Sequence, residues 1–93
     1  MSPFAAALLY KVKDALRITH NGMDDELIDI IDACKQDLMF AGVNNVDPEK
    51  PLIRRAVILY AKAHFSFSDD GQRFHQAYDS LKNLLRLVSE ENV

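Results

Sequence analysis

Few residues in this chain have the types and spacing that chemistry requires. Its 93 residues include one cysteine and three histidines. Covalent catalysis needs a nucleophile beside a base, and metal catalysis needs a cluster of ligands. Phosphate chemistry needs a glycine-rich cradle. The three glycines are scattered at Gly22, Gly42 and Gly71, so no such cradle exists. There is no HExxH arrangement and no cysteine pair. Cys34 falls within an apolar stripe and reads as a small buried hydrophobe rather than a reactive thiol. His64 and His75 are separated by a turn holding Asp69 and Asp70, but the spacing follows no ligand rule. The plainer reading is a partly exposed His64 and a solvated His75. His20, beside Asn21-Gly22, reads as a turn residue. No catalytic residue, metal ligand or cofactor is expected.

Charge clusters carry more information. Asp24, Asp25, Glu26, Asp29 and Asp32 crowd one segment, and only Asp25, Asp29 and Asp32 share a helical face, at spacings of four and three. A solvated face that complements the helix dipole explains most of this, and a partner surface would explain the rest. The basic group Lys50, Arg54, Arg55 and Lys62 is different. Lys50, Arg54 and Arg55 stand at a helix start, where the dipole disfavours cations by about 0.3–1 kcal/mol each. Asp47 and Glu49 can neutralise them locally. The other reading is intermolecular: a basic edge meets Asp25, Asp29 or Asp32 of a neighbouring copy, head to tail, and closes a ring if the rotation permits. Phe65 points away from the face shared by Ile53, Tyr60, Ala63 and Phe67. It is either covered by another helix or part of an interface.

Four periodic segments would position these groups. The first spans Pro3 to Leu16, with Leu9, Val12 and Leu16 in one stripe, Ser2 as cap and Pro3 at the first helical position. Lys11 and Lys13 supply its charged face, and Asn21-Gly22 breaks the chain soon after. The second spans Asp24 to Ala41, with Leu27, Ile31, Cys34 and Leu38 as its stripe and Ile28, Ile30 and Met39 widening it. Gly42 suits its C-terminal cap. The third starts near Pro51 and buries Ile53, Val57, Tyr60, Ala63 and Phe67. The segment Ser68-Asp69-Asp70-Gly71 reads as a turn and cap. The fourth carries Phe74, Tyr78, Leu81, Leu85 and Val88, and frays from Ser89 onward. Period-two alternation never persists. The expectation is an all-α fold, a single compact domain of about four helices covering residues 1–93.

Composition narrows the function. Hydrophobic residues make up 48%, too many for a disordered chain. A net charge of −3 argues against sequence-reading nucleic-acid binding and against docking on anionic lipid. One cysteine allows no internal disulfide and suits a reducing cytoplasm. The apolar run from Phe4 to Tyr10 is too short for a membrane span and lacks the preceding positive charge of a signal peptide.

The succession of segments resembles the head-tail connector (DNA-packaging adaptor) family of long-tailed bacteriophages and prophages. The run Leu9-Tyr10-Lys11-Val12-Lys13-Asp14-Ala15-Leu16-Arg17-Ile18 is similar to that family's opening helix. Asp24-Asp25-Glu26-Leu27-Ile28 and Ile31-Asp32-Ala33-Cys34 resemble the acidic start and middle of its second helix. Pro51-Leu52-Ile53 and Ala56-Val57-Ile58-Leu59-Tyr60 resemble the central helix. Asp69-Asp70-Gly71-Gln72-Arg73-Phe74 and Ala77-Tyr78-Asp79-Ser80-Leu81-Lys82 resemble the closing helix of one branch. The ending Leu87-Val88-Ser89-Glu90-Glu91-Asn92-Val93, an acidic tail, departs from the aromatic ending of close relatives. The resemblance implies a non-enzymatic virion assembly protein that forms a ring of about twelve copies under the portal protein. Such a ring extends the DNA channel and receives the stopper or tail-completion protein. It implies a place at the head-tail interface of the virion, after assembly in the host bacterial cytoplasm. DNA would slide through without sequence-specific binding, past a ring whose charge, at −3 per copy, is about −36.

Two rival readings belong to other classes. A small helical nucleic-acid-binding regulator would use the basic start of the third helix, and DNA retention falling steeply with salt would favour it. A helical enzyme subunit or metal binder would use His64 and His75, and metal analysis of the purified protein would reveal it.

Overall fold

Ser2 starts the first helix as its sequence position suggests. Its Oγ accepts the Ala5 N–H at 3.0 Å, Pro3 takes the first helical position, and α1 runs Pro3–Leu16. The computed structural model describes residues 1–65 and 70–91. Within them the chain is all-helical, with α2 at Asp24–Phe40, α3 at Pro51–Phe65 and α4 at Asp70–Glu91. The radius of gyration is 12.9 Å, close to the about 12 Å of a compact chain of this length.

Helix ends follow local chemistry. α1 stops because Arg17 turns left-handed (φ 59°), which lets the Arg17 and Ile18 N–H groups donate to the Asp14 and Lys13 carbonyls. The break therefore comes at Arg17, before Asn21-Gly22. α2 ends through Ala41, and Gly42 follows at φ 96°. A β-carbon on Gly42 would meet the Arg86 Cγ at an ordinary 3.7 Å. The backbone conformation, not crowding, is what calls for glycine there.

The core is built on α2. Leu27, Ile31, Cys34 and Leu38 are completely buried, as the stripe predicts. They meet Leu8, Leu9 and Val12 of α1 and Ile53, Ala56, Val57 and Ala61 of α3 in one continuous apolar cluster. Burying a leucine or isoleucine fully contributes about 1.5–3 kcal/mol. α1 and α2 run antiparallel, α3 packs on both, and α4 lies mainly along α3. α4 is the outer layer: Tyr78 is its one buried aromatic among the described residues, with Phe74, Leu81 and Leu85 half-buried.

Several expectations need correction. Met39 is exposed, because it lies on the flank of α2 away from Leu38. Val88 is exposed, because it borders a cavity that Leu52 and Ile53 of α3 do not fill. Asp70 and Gly71 form the first turn of α4 rather than a turn before it. Phe67, Ser68 and Asp69 lie outside the described residues. Ser89 is buried in a helix that continues to Glu91, so fraying does not begin there.

The largest correction is Lys13, expected on a charged face and found 5% exposed. Its stem lies along the core while its Nζ sits 2.8 Å from an Asp24 carboxylate oxygen and donates to the Asn21 Oδ1 at 2.9 Å. Removing one partner of such a pair is costly, because the other charge stays buried. Asp24→Ala should destabilise the protein by about 2–4 kcal/mol, and Lys13→Met, which keeps the stem and removes the charge, by less. Urea unfolding of both variants checks the order, and a costlier Lys13→Met would refute it.

Candidate functional site

The basic edge forms where the loop after α2 enters α3. Lys50 precedes Pro51 and is exposed, as is Arg55 one turn on. Arg54 turns back, and its guanidinium donates to the Glu49 carbonyl at 2.7 Å. Asp47 accepts the Glu49 N–H and forms no ion pair with the cations among the described residues. The helix start therefore holds two cations, Lys50 and Arg55, whose side chains have no intrachain hydrogen bond or ion pair among the described residues.

The acidic face lies on α2. Asp25 and Asp29 are exposed and likewise without a partner among the described residues. Asp32 is half-buried and accepts the Ser2 hydroxyl at 2.6 Å, tying α2 to the start of α1. Asp24 is committed to Lys13. Phe65 is half-buried and packs against the core. Lys62 stands over the Phe74 ring at 5.5 Å.

Between α2 and α4 lies a polar chain that the sequence reading missed. The Tyr78 hydroxyl donates to the Asp37 Oδ2 at 2.6 Å, a length typical of a charge-assisted bond. Lys82 Nζ donates to the same oxygen at 3.1 Å. The Cys34 thiol points at the Tyr78 hydroxyl at 3.8 Å. The Tyr60 ring packs edge-on against Tyr78, centroids 5.1 Å apart. Burial pushes the Cys34 pKa up to about 12, so the thiol is protonated at neutral pH. Burial, with the hydrogen bond to Asp37, also pushes Tyr78 up. Burial alone would raise Asp37, but its bonds from Tyr78 and Lys82 outweigh that and hold its carboxyl below the ordinary range. One sequence signal did mark this group. Asp37 is an acid in the last turn of a helix, against the dipole, as Lys50 and Arg54 are cations in a first turn.

A second unforeseen feature is a cavity of about 280 Å³ bounded by Val43, Leu52, Ile53, Leu85 and Val88, with Lys50 at its edge. The Asn44 N–H donates to the Ser89 hydroxyl at 2.9 Å and holds the loop against α4. Asn45 next to it is left-handed, at φ 53°. Apolar side chains stand open elsewhere: Phe40 is 87% exposed and Tyr10 76%.

The histidines do little. His20 Nδ1 accepts the Gly22 N–H and serves the turn, as its position suggests. His64 and His75 are exposed, with ring centroids 5.8 Å apart. No group of three or more metal-ligating side chains occurs among the described residues. None of their helices is long and apolar enough to cross a membrane.

A family model described as phage connector protein matches residues 8–92. No curated protein and no solved structure matches the chain.

Two measurements test the polar chain. Cys34, buried and protonated, should react with a thiol reagent only at the rate of unfolding; fast labelling in native buffer would refute this burial. Asp37 has a depressed pKa, so it stabilises the fold above the unfolded carboxylate value, and that stability fades as pH falls through its folded value. The stability gap between wild type and Asp37→Asn should therefore be wide at pH 7 and narrow near pH 3. Urea midpoints at the two pH values decide it.

Proposed function

The chain belongs to the phage connector protein family, and from that premise we propose that it is a non-enzymatic subunit of a ring joining phage head to tail. The ring docks under the portal protein, extends the DNA channel and receives the stopper or tail-completion protein. It works at the head-tail interface of the virion after assembly in the host cytoplasm. The family match over residues 8–92 carries this reading.

The charge arrangement supplies a mechanism for ring closure. Lys50 and Arg55 have no partner among the described residues, and neither do Asp25 and Asp29 on another face. Two different patches of opposite sign make a heterologous contact, and heterologous contacts generate rings when the rotation between copies closes. Arg54, Asp32 and Phe65 each have an intrachain contact, so they contribute less to the proposed boundary. A net charge of −3 per copy supports passage of DNA without retention. This last point requires that the excess acid face the bore.

Lys50→Glu with Arg55→Glu should weaken self-association while leaving helicity intact, because neither side chain supports the fold. Adding Asp25→Lys with Asp29→Lys should restore it. Sedimentation velocity at matched concentration, with circular dichroism as control, reads both. Unchanged sedimentation of the first variant would overturn the charge-pairing mechanism.

A further inference from the structure

The cavity at the basic edge has no occupant in the mechanism so far. Its volume of about 280 Å³ falls just below the range of about 300–1,000 Å³ typical of small-ligand sites. It suits one large side chain better than a cofactor. Leu52 and Val88 stand half in solvent at its mouth, 50% and 45% exposed. Lys50 lies on its rim. An occupant should therefore be an apolar or aromatic side chain flanked by carboxylates.

The chain presents such a group on another face. Tyr10 is 76% exposed in the middle of α1, a helix that carries no partner for its ring among the described residues. α1 and α2 run antiparallel, with Lys13 against Asp24 and Ser2 against Asp32. At about 1.5 Å rise per residue, that register sets Tyr10 level with Leu27, between Asp25 and Asp29. Asp25 and Asp29 continue the row of Asp32, the flank of α2 that meets α1. Tyr10 lies one turn from Lys13, which meets α2 through Asp24. Ring and carboxylates thus border the same seam. Phe40 is more exposed, but it ends the helix leading into Val43 and so lies at the receiving end of its own chain.

We propose that Tyr10 of one copy inserts into the Val43–Leu52–Leu85–Val88 cavity of the next, with Asp25 and Asp29 facing Lys50 and Arg55 around it. This rests on the ring-subunit reading and names its anchor. Aromatic side chains filling desolvated pockets carry a disproportionate share of interface energy, and the surrounding ion pairs set register more than affinity.

Photo-crosslinking tests the contact. p-Benzoylphenylalanine in place of Tyr10 keeps an aromatic ring and should yield a ladder of covalent multimers, with adducts on peptides holding Leu52 and Val88. Adducts confined to the same chain, or to surfaces away from the cavity, would overturn the proposal. In sedimentation, Tyr10→Ala and the cavity-filling Val88→Trp should each weaken association by about tenfold or more. If both leave association unchanged while reversal at Lys50 and Arg55 abolishes it, the anchor is wrong and the proposed function stands. If neither the anchor nor the charge variants have any effect, the anchor and the charge-pairing mechanism fall together, and the family membership is untouched.

Discussion

The phenol of Tyr78 crosses from the outermost helix to the helix at the centre of the core. Its bond to Asp37 is short, its ring is buried against Tyr60, and Lys82 closes on the same carboxylate. α4 is otherwise a weakly apolar helix that rests on α3, with Leu84, Leu87 and Val88 open to solvent. Apolar burial alone would leave its rotation about its own axis loosely specified. The buried hydroxyl, bonded to a half-exposed carboxylate, restricts that freedom, because it does not tolerate losing its partner inside the protein. The bond from Asn44 to Ser89 does the same at the far end of the helix. The two ties together fix which side chains α4 offers to the cavity and which to solvent.

The helices were readable because each is written in short-range terms. Ser2 with Pro3, the period of Leu27, Ile31, Cys34 and Leu38, and Gly42 are all local signals. α1 starts and stops at the expected residues. The less legible features depend on a partner far along the chain. Lys13 and Asp24 are eleven residues apart, Asp37 and Tyr78 forty-one, and Asn44 and Ser89 forty-five. No periodicity reports which lysine will turn inward, because a long aliphatic stem suits either side of a helix. The cavity was invisible for a similar reason: it is a property of three elements meeting, not of any one. Residue type and position alone mark the candidate interface residues in the sequence. Their side-chain surroundings then sorted them, since Arg54, Asp32 and Phe65 have neighbours within the chain while Lys50, Arg55, Asp25 and Asp29 do not.

That sorting bears on how a small chain can serve assembly. A domain of this size buries about 60–70% of its unfolded surface and has little stability to spare. Charged groups left without internal partners cost the fold little while they remain in water. They are therefore the least expensive way to mark a surface for another molecule. Two of the intrachain ion pairs, by contrast, join helices where they meet: Lys13 with Asp24 between α1 and α2, Lys82 with Asp37 between α2 and α4.

The Lys13–Asp24 pair has a consequence for how this sequence can change over time. Either residue alone is a poor candidate for replacement, because the remaining charge would be stranded at a buried junction. Both can be exchanged together for apolar residues of similar volume with little loss. Among descendants of this chain the two positions should therefore behave as one inherited character, conserved jointly or lost jointly. Asn21, which shares the lysine's proton donors, would be released from constraint only in lineages that lose both.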